Sequence, residues 1–264
     1  MLRFTSCQAE IADSFCKALA EFIGDKLGIP SEFVGDVPWP DTERLFDCGD
    51  IHVSWMCGLP YVRKNNGAKK SLELLAAPVM SHPRYGGRPV YFSDVVVRAD
   101  SSLRFFEDLR GRTWAYNEPG SHSGYNLIRY HLAMGGLGAR YFGNVVESGS
   151  HKSSLEMVLE GAIDAAAIDS TVLEMEFTKD PSIIERVRTI TTLGPSPAPP
   201  WVVHGSVPID VRRALREKFL SMDNDPRGRR ILEDAGMLWF APVSDHEYDP
   251  IREMERIAAT VEWS

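Results

Sequence analysis

The chain is poor in cysteine, with four in 264 residues. Cys7, Cys16, Cys48 and Cys57 form no Cys-x-x-Cys pair and have no histidine at zinc-ligand spacing, which excludes a structural zinc site and a thioredoxin-type centre. Thiols scattered in this way fit a reducing compartment. Positive charge is also scarce: 29 Lys and Arg against 37 Asp and Glu leave a net charge of −8. Without a basic face to displace phosphate counterions, nucleic acid is excluded as a partner. A small anion is still admissible, because oriented amides and hydroxyls hold one without net positive charge. No apolar run approaches the length of a membrane span, so no membrane insertion is expected. The first residues enter a strand with no basic segment followed by an apolar one. As it stands the chain reads as cytoplasmic, or as periplasmic if a signal peptide has been removed.

Catalytic signatures are missing too. There is no phosphate-binding Gly-x-x-x-x-Gly-Lys-Ser/Thr loop and no His-Glu-x-x-His helix. Gly120-Ser121-His122-Ser123-Gly124 has histidine at the centre, where a nucleophile elbow requires serine. Nothing in the sequence sets a base beside an activated serine for a triad of His151, Asp169 and serine. The expectation is a protein with no catalytic residue, no metal and no cofactor.

What is present is an alternation of helical and strand-like patterns. Apolar residues at Ile11, Phe15, Leu19, Phe22, Ile23 and Leu27 form a helical stripe that ends at Gly28. Residues 50–55, 72–79 and 91–98 read as strands, the last centred on Val95-Val96-Val97. Such alternation predicts an α/β architecture with mostly parallel sheets. The segments Leu45 to Ile51 and Val158 to Asp164 share a plan of helix end, acidic residue, nearby glycine and strand, which favours two similar lobes. Crossings are expected at Arg98 and in the proline-rich stretch 194–200, which gives lobe 1 as residues 1–97, lobe 2 as 98–198 and a return to lobe 1 over 199–264. The last helix, residues 251–261, is expected to pack on the first lobe.

The most informative stretch runs from Trp114 to Tyr125. A strand leads through Pro119-Gly120 into serines at the opening of a helix. Helix-start N–H groups lack internal partners and carry the positive end of the dipole, so they suit an anion. Ser121 and Ser123 add hydroxyl donors, and Gly124 lets a ligand approach the backbone. Helix capping is the competing reading for either serine. His151 opens a second such helix. Asp169 ends a small-residue strand, facing a ligand crevice or capping the next helix.

In order along nearly the whole chain, these segments resemble the substrate-binding proteins of phosphate, phosphite and phosphonate ABC transporters. The matching runs include Val37-Pro38-Trp39-Pro40-Asp41, Val90 to Val97, Phe106 to Arg112, Glu118 to Tyr125, Gly149-Ser150-His151 and Gly161 to Ala167. The resemblance implies the two-lobed type 2 periplasmic-binding-protein fold, with a small anionic ligand in an interlobe cleft and an ABC-transporter permease as partner. It also favours anion binding over capping at the serine turn; the protein is expected to be a monomer. It implies Ser121, Ser123 and His151 as anion ligands, with Tyr91 donating from the opposing lobe. His122 stands where the family has threonine and is expected to donate to the anion from its imidazole, and Thr42 stands where a first-lobe tyrosine is expected. Asp169 is the remaining carboxylate for a cationic tail, and Trp201 is expected to wall an apolar group. A cytoplasmic biosynthetic enzyme or a ligand sensor on the same fold is the alternative.

Overall fold

The computed structural model describes residues 1–8, 10–35, 37–66, 71–261 and 263. The chain begins with β1 (Leu2–Ser6), α1 (Asp13–Leu27), β2 (Ser31–Phe33), α2 (Trp39–Asp47), β3 (Val53–Trp55), α3 (Gly58–Asn65) and β4 (Leu72–Met80). It continues through β5 (Val90–Arg98), β6 (Thr113–Tyr116), α4 (Leu127–Met134), β7 (Asn144–Glu147), α5 (His151–Glu160), β8 (Ala165–Asp169), α6 (Ser170–Lys179) and α7 (Ile183–Arg186). The last part holds β9 (Val187–Pro197), β10 (Trp201–His204), α8 (Ile209–Leu220), α9 (Pro226–Asp234), β11 (Met237–Ala241) and α10 (Asp249–Ala258). From Phe15 onward the predicted stripe forms α1, which buries Phe15, Leu19, Phe22 and Ile23, while Ile11 falls in a 3-10 turn over Glu10–Ala12. Gly28 ends it at φ +65°, a conformation that side chains resist.

Two compact units emerge, both α/β. The first comprises Met1–Val90 and Pro197–Asp249. Its six-stranded sheet has the order β11-β4-β10-β3-β1-β2. β1 pairs in parallel with β2 and β3, while β10 runs antiparallel to β3 and β4. An aromatic core forms where β10 meets β3. Trp201 stacks on Trp55 with ring centroids 5.6 Å apart and meets Phe219 at 5.3 Å. Burying each such ring contributes on the order of 2 kcal/mol.

The second unit comprises Tyr91–Ser196 and Pro250–Ser264, with a five-stranded sheet in the order β7-β6-β8-β5-β9. β6 pairs in parallel with β7 and β8, and β5 runs antiparallel to β8. The prolines of β9 are tolerated because that strand lies at the edge of its sheet.

Two expected boundaries move. The first crossing falls between Val90 and Tyr91 rather than near Arg98, because Ser93–Val97 pair with Ala165–Asp169 and belong to the second sheet. The carboxyl-terminal segment from Pro250, expected to pack on the first lobe, belongs to the second unit. There Val261 enters the core beside Trp114, Ile128 and Phe142, and its carbonyl accepts from Arg129 Nε.

Candidate anion-binding site

The strand β6 ends at Tyr116, and the chain turns through Pro119-Gly120 into one turn of π-helix, His122–Asn126, which leads into α4. Single π-turns of this kind collect at functional sites. Ser121 is the N-cap, and its Oγ accepts from the Gly124 amide at 3.0 Å. A hydroxyl that accepts one bond still has its proton to donate. Capping and ligand donation are therefore compatible in Ser121.

Ser123 is held from two sides. Its carbonyl accepts from Ser93 Oγ at 2.9 Å, and its own Oγ lies 3.0 Å from His151 Nε2. His151 is the first residue of α5, whose N-cap Ser150 accepts from the Ser153 amide. Gly124 sits where these parts converge: a Cβ there would stand 2.1 Å from Asn117 Oδ1 and 3.2 Å from His151 Cε1. A Cβ here would have to displace the Asn117 amide, so close approach rather than backbone angle favours glycine at this position.

His122 is completely buried, and both ring nitrogens have partners within the same unit. Nδ1 lies 3.1 Å from Asn126 Nδ2, and Nε2 lies 3.0 Å from Ser196 Oγ. With the Asn126 amide donating to Nδ1, the ring proton is on Nε2 and is given to Ser196. Burial pushes the pKa of His122 down to about 3. Burial likewise takes His151 down to about 4, with the Ala167 backbone acting in the opposite sense. Both rings are neutral at pH 7, so the turn offers neutral donors only. Expected as an anion donor, His122 in this structure ties the serine turn to the end of β9 through both ring nitrogens.

The profile of the family described as ABC transporter, phosphonate, periplasmic substrate-binding protein matches residues 7–248. The chain belongs to this family. The phosphonates-binding periplasmic protein of Escherichia coli K12 is 24% identical over 173 residues, which cover 64% of this chain and 51% of that protein. The chain thus spans about half the length of this curated relative. Among solved structures, a binding component of an ABC phosphonate transporter from Pseudomonas aeruginosa has a TM-score of 0.84 at 18% identity, covering 98% of this chain and 86% of that one. A Prochlorococcus marinus protein in complex with methylphosphonate has a TM-score of 0.85 at 17% identity, covering 98% of each chain. At these identities the likeness establishes the type 2 periplasmic-binding-protein fold.

Set within that fold, the remaining predicted residues fare differently. Tyr91 is the first residue of the second unit, the same unit as the serine turn, and its ring centroid lies 6.4 Å from that of His122. It does not belong to the opposing lobe, because its strand pairs with β8. Asp169 caps α6, with Oδ1 accepting from the Thr171 amide at 2.8 Å and hydroxyl at 2.7 Å. Burial raises its pKa to about 6 despite those bonds. Among the described residues, the Ser123–His151 pair has no carboxylate as a hydrogen-bond partner. Thr42 lies in the first unit on α2, buried, and donates to the Val37 carbonyl at 3.2 Å. Trp201, expected to wall a ligand, is wholly enclosed in the aromatic core of the first unit. The side chain of Trp39 lies outside the described residues.

Sequence reasoning missed Ser93, Asn117, Asn126 and Ser196, which hold the turn in shape. Asn117 could have been found, since it closes the strand that leads into the turn, and its carbonyl accepts from the Gly149 amide. Ser196 carries no local signal, being 74 residues from its histidine.

Proposed function

We propose that this protein is a non-enzymatic solute-binding component of an ABC transporter that takes a small oxyanion of the phosphonate, phosphite or phosphate type. The observation that supports this reading is the buried group of Ser121, Ser123 and His151 at a helix opening, in a chain of the phosphonate-binding family. Ser121 donates its hydroxyl proton, and Ser123 and the first amides of the turn supply further neutral donors. His151 orients the Ser123 hydroxyl. Tyr91 stands on the same unit as a further candidate. In this reading capture takes place on the periplasmic side, as in the family's description, with a permease as the partner.

A ligand without a cationic tail fits best. Asp169 is bonded to Thr171, and the return segment offers Pro199, Pro200 and Trp201 rather than a carboxylate. Calorimetric titration of the full chain with methylphosphonate, phosphite, phosphate and an aminoalkylphosphonate tests this. Saturable one-to-one binding is expected for at least one of the first three, with the aminoalkyl compound weaker. Folded protein that binds none of them overturns the reading.

A further inference from the structure

The fold brings together two cysteines that lie fifty positions apart and outside the anion site. Cys7 follows the last residue of β1, and Cys57 is the N-cap of α3, just beyond β3. The two strands run in parallel with Ser6 opposite Trp55, so the cysteines leave adjacent strands at the same end of the sheet. The Cys57 amide donates to Cys7 Sγ at 2.8 Å, and that thiol donates to the Trp55 carbonyl at 3.1 Å. An N–Cα bond of about 1.5 Å then sets the Cys57 Cα within about 4.3 Å of the Cys7 sulfur. A one-residue offset between neighbouring strands gives a Cα separation of roughly 6 Å, inside the range that a disulfide spans. Both residues are partly exposed and are reduced in this structure.

The other two cysteines differ. Cys16 is buried, and desolvation pushes its thiol up to about 12. Cys48 is exposed and lies at the carboxyl end of α2. Cys57, at the start of a helix, is partly exposed and so open to an oxidant.

We propose that Cys7 and Cys57 form an intramolecular disulfide that joins the carboxyl ends of β1 and β3. With glutathione disulfide as oxidant, the Cys57 thiolate attacks one sulfur and releases a glutathione thiolate, leaving a mixed disulfide on Cys57. Cys7 then loses its proton to solvent and attacks the Cys57 sulfur, and the second glutathione departs. Two protein thiols are oxidised and one glutathione disulfide is reduced to two thiols. The bond forms in the wall of a small cavity that Cys7 shares with Thr42 and Met56. It is independent of which anion the serine turn takes.

The test is oxidation of the full, folded chain with glutathione disulfide, iodoacetamide blocking, digestion without reductant and mass spectrometry. The expected product is a linked pair of peptides containing Cys7 and Cys57, with Cys48 outside the link. Closing a loop of this length should raise the unfolding midpoint by roughly 5 °C, reversed by dithiothreitol. Cys48→Ser should keep both results, and Cys57→Ser should lose both. Recovery of Cys7 and Cys57 as separate alkylated or glutathionylated residues after oxidation would overturn the proposal, as would a link through Cys48.

Discussion

Two helix openings in the second unit share a local plan. Ser121-His122 and Ser150-His151 each place a capping serine before a buried histidine, and each serine accepts from the amide three residues on. Their tertiary roles diverge. His122 has one nitrogen on Asn126 and the other on Ser196, so its ring is committed to structure. His151 instead reaches across to Ser123, a hydroxyl of the other helix opening. The difference teaches that the same serine-histidine helix start can serve different partners: one ring is held on both nitrogens within the fold, the other faces a hydroxyl of the neighbouring opening.

The largest effect that separates the two histidines is on stability. His122→Ala removes two hydrogen bonds, strands Asn126 and Ser196 in the interior and opens a cavity, a loss of about 4 kcal/mol. His151→Ala should cost about 2 kcal/mol and fall mainly on ligand affinity. Urea unfolding of both variants checks the order; equal losses would break the contrast.

Acid should then expose what the two rings have in common. Each is neutral when folded and takes up a proton when unfolded, so stability falls as pH drops below about 6.5. The fall continues to about 3 for His122 and about 4 for His151. Asp169 acts in the opposite direction, because its raised pKa of about 6 lets the folded chain keep a proton that the unfolded chain releases. These three groups together should contribute a net loss of roughly 3 kcal/mol between pH 7.5 and 4.5, read as the part of the change in urea midpoint that disappears in His122→Ala and His151→Ala.

A smaller effect sharpens how the openings meet. Gly124→Ala forces a Cβ against Asn117 Oδ1, costing about 2 kcal/mol of stability. The double change with Asn117→Ala should recover part of that loss, seen in thermal melts. The smallest effect is a null one. With both rings neutral, methylphosphonate affinity should stay within about twofold from pH 6 to 8 once the ligand's own ionisation is corrected for. A steep decline across that interval would mean that a charged histidine holds the anion.

Much of the fold was legible because local periodicity carries it. The stripe from Phe15 to Leu27 and the glycine that ends it appear in the structure as α1 and its left-handed cap, while Ile11 lies in a short 3-10 turn before it. The lobe boundary was less legible, because an apolar run such as Val95-Val96-Val97 suits either sheet until its partner strand is known. Trp201 misled for the same reason: an aromatic beside a proline-rich crossing looks available to a ligand, and only antiparallel pairing with Trp55 buries it. In the site, the serines and His151 were visible as helix openings. The role of His122 was not, since it depends on Ser196, a residue brought in by another strand.

The most direct measurement is calorimetric titration of methylphosphonate into the intact chain and into Ser123→Ala, both shown to be folded. The account predicts one-to-one binding by the wild type and a loss of about 30-fold in the variant, roughly 2 kcal/mol, because a ligand donor disappears and His151 loses the hydroxyl it orients. Equal affinity in the two proteins would contradict it.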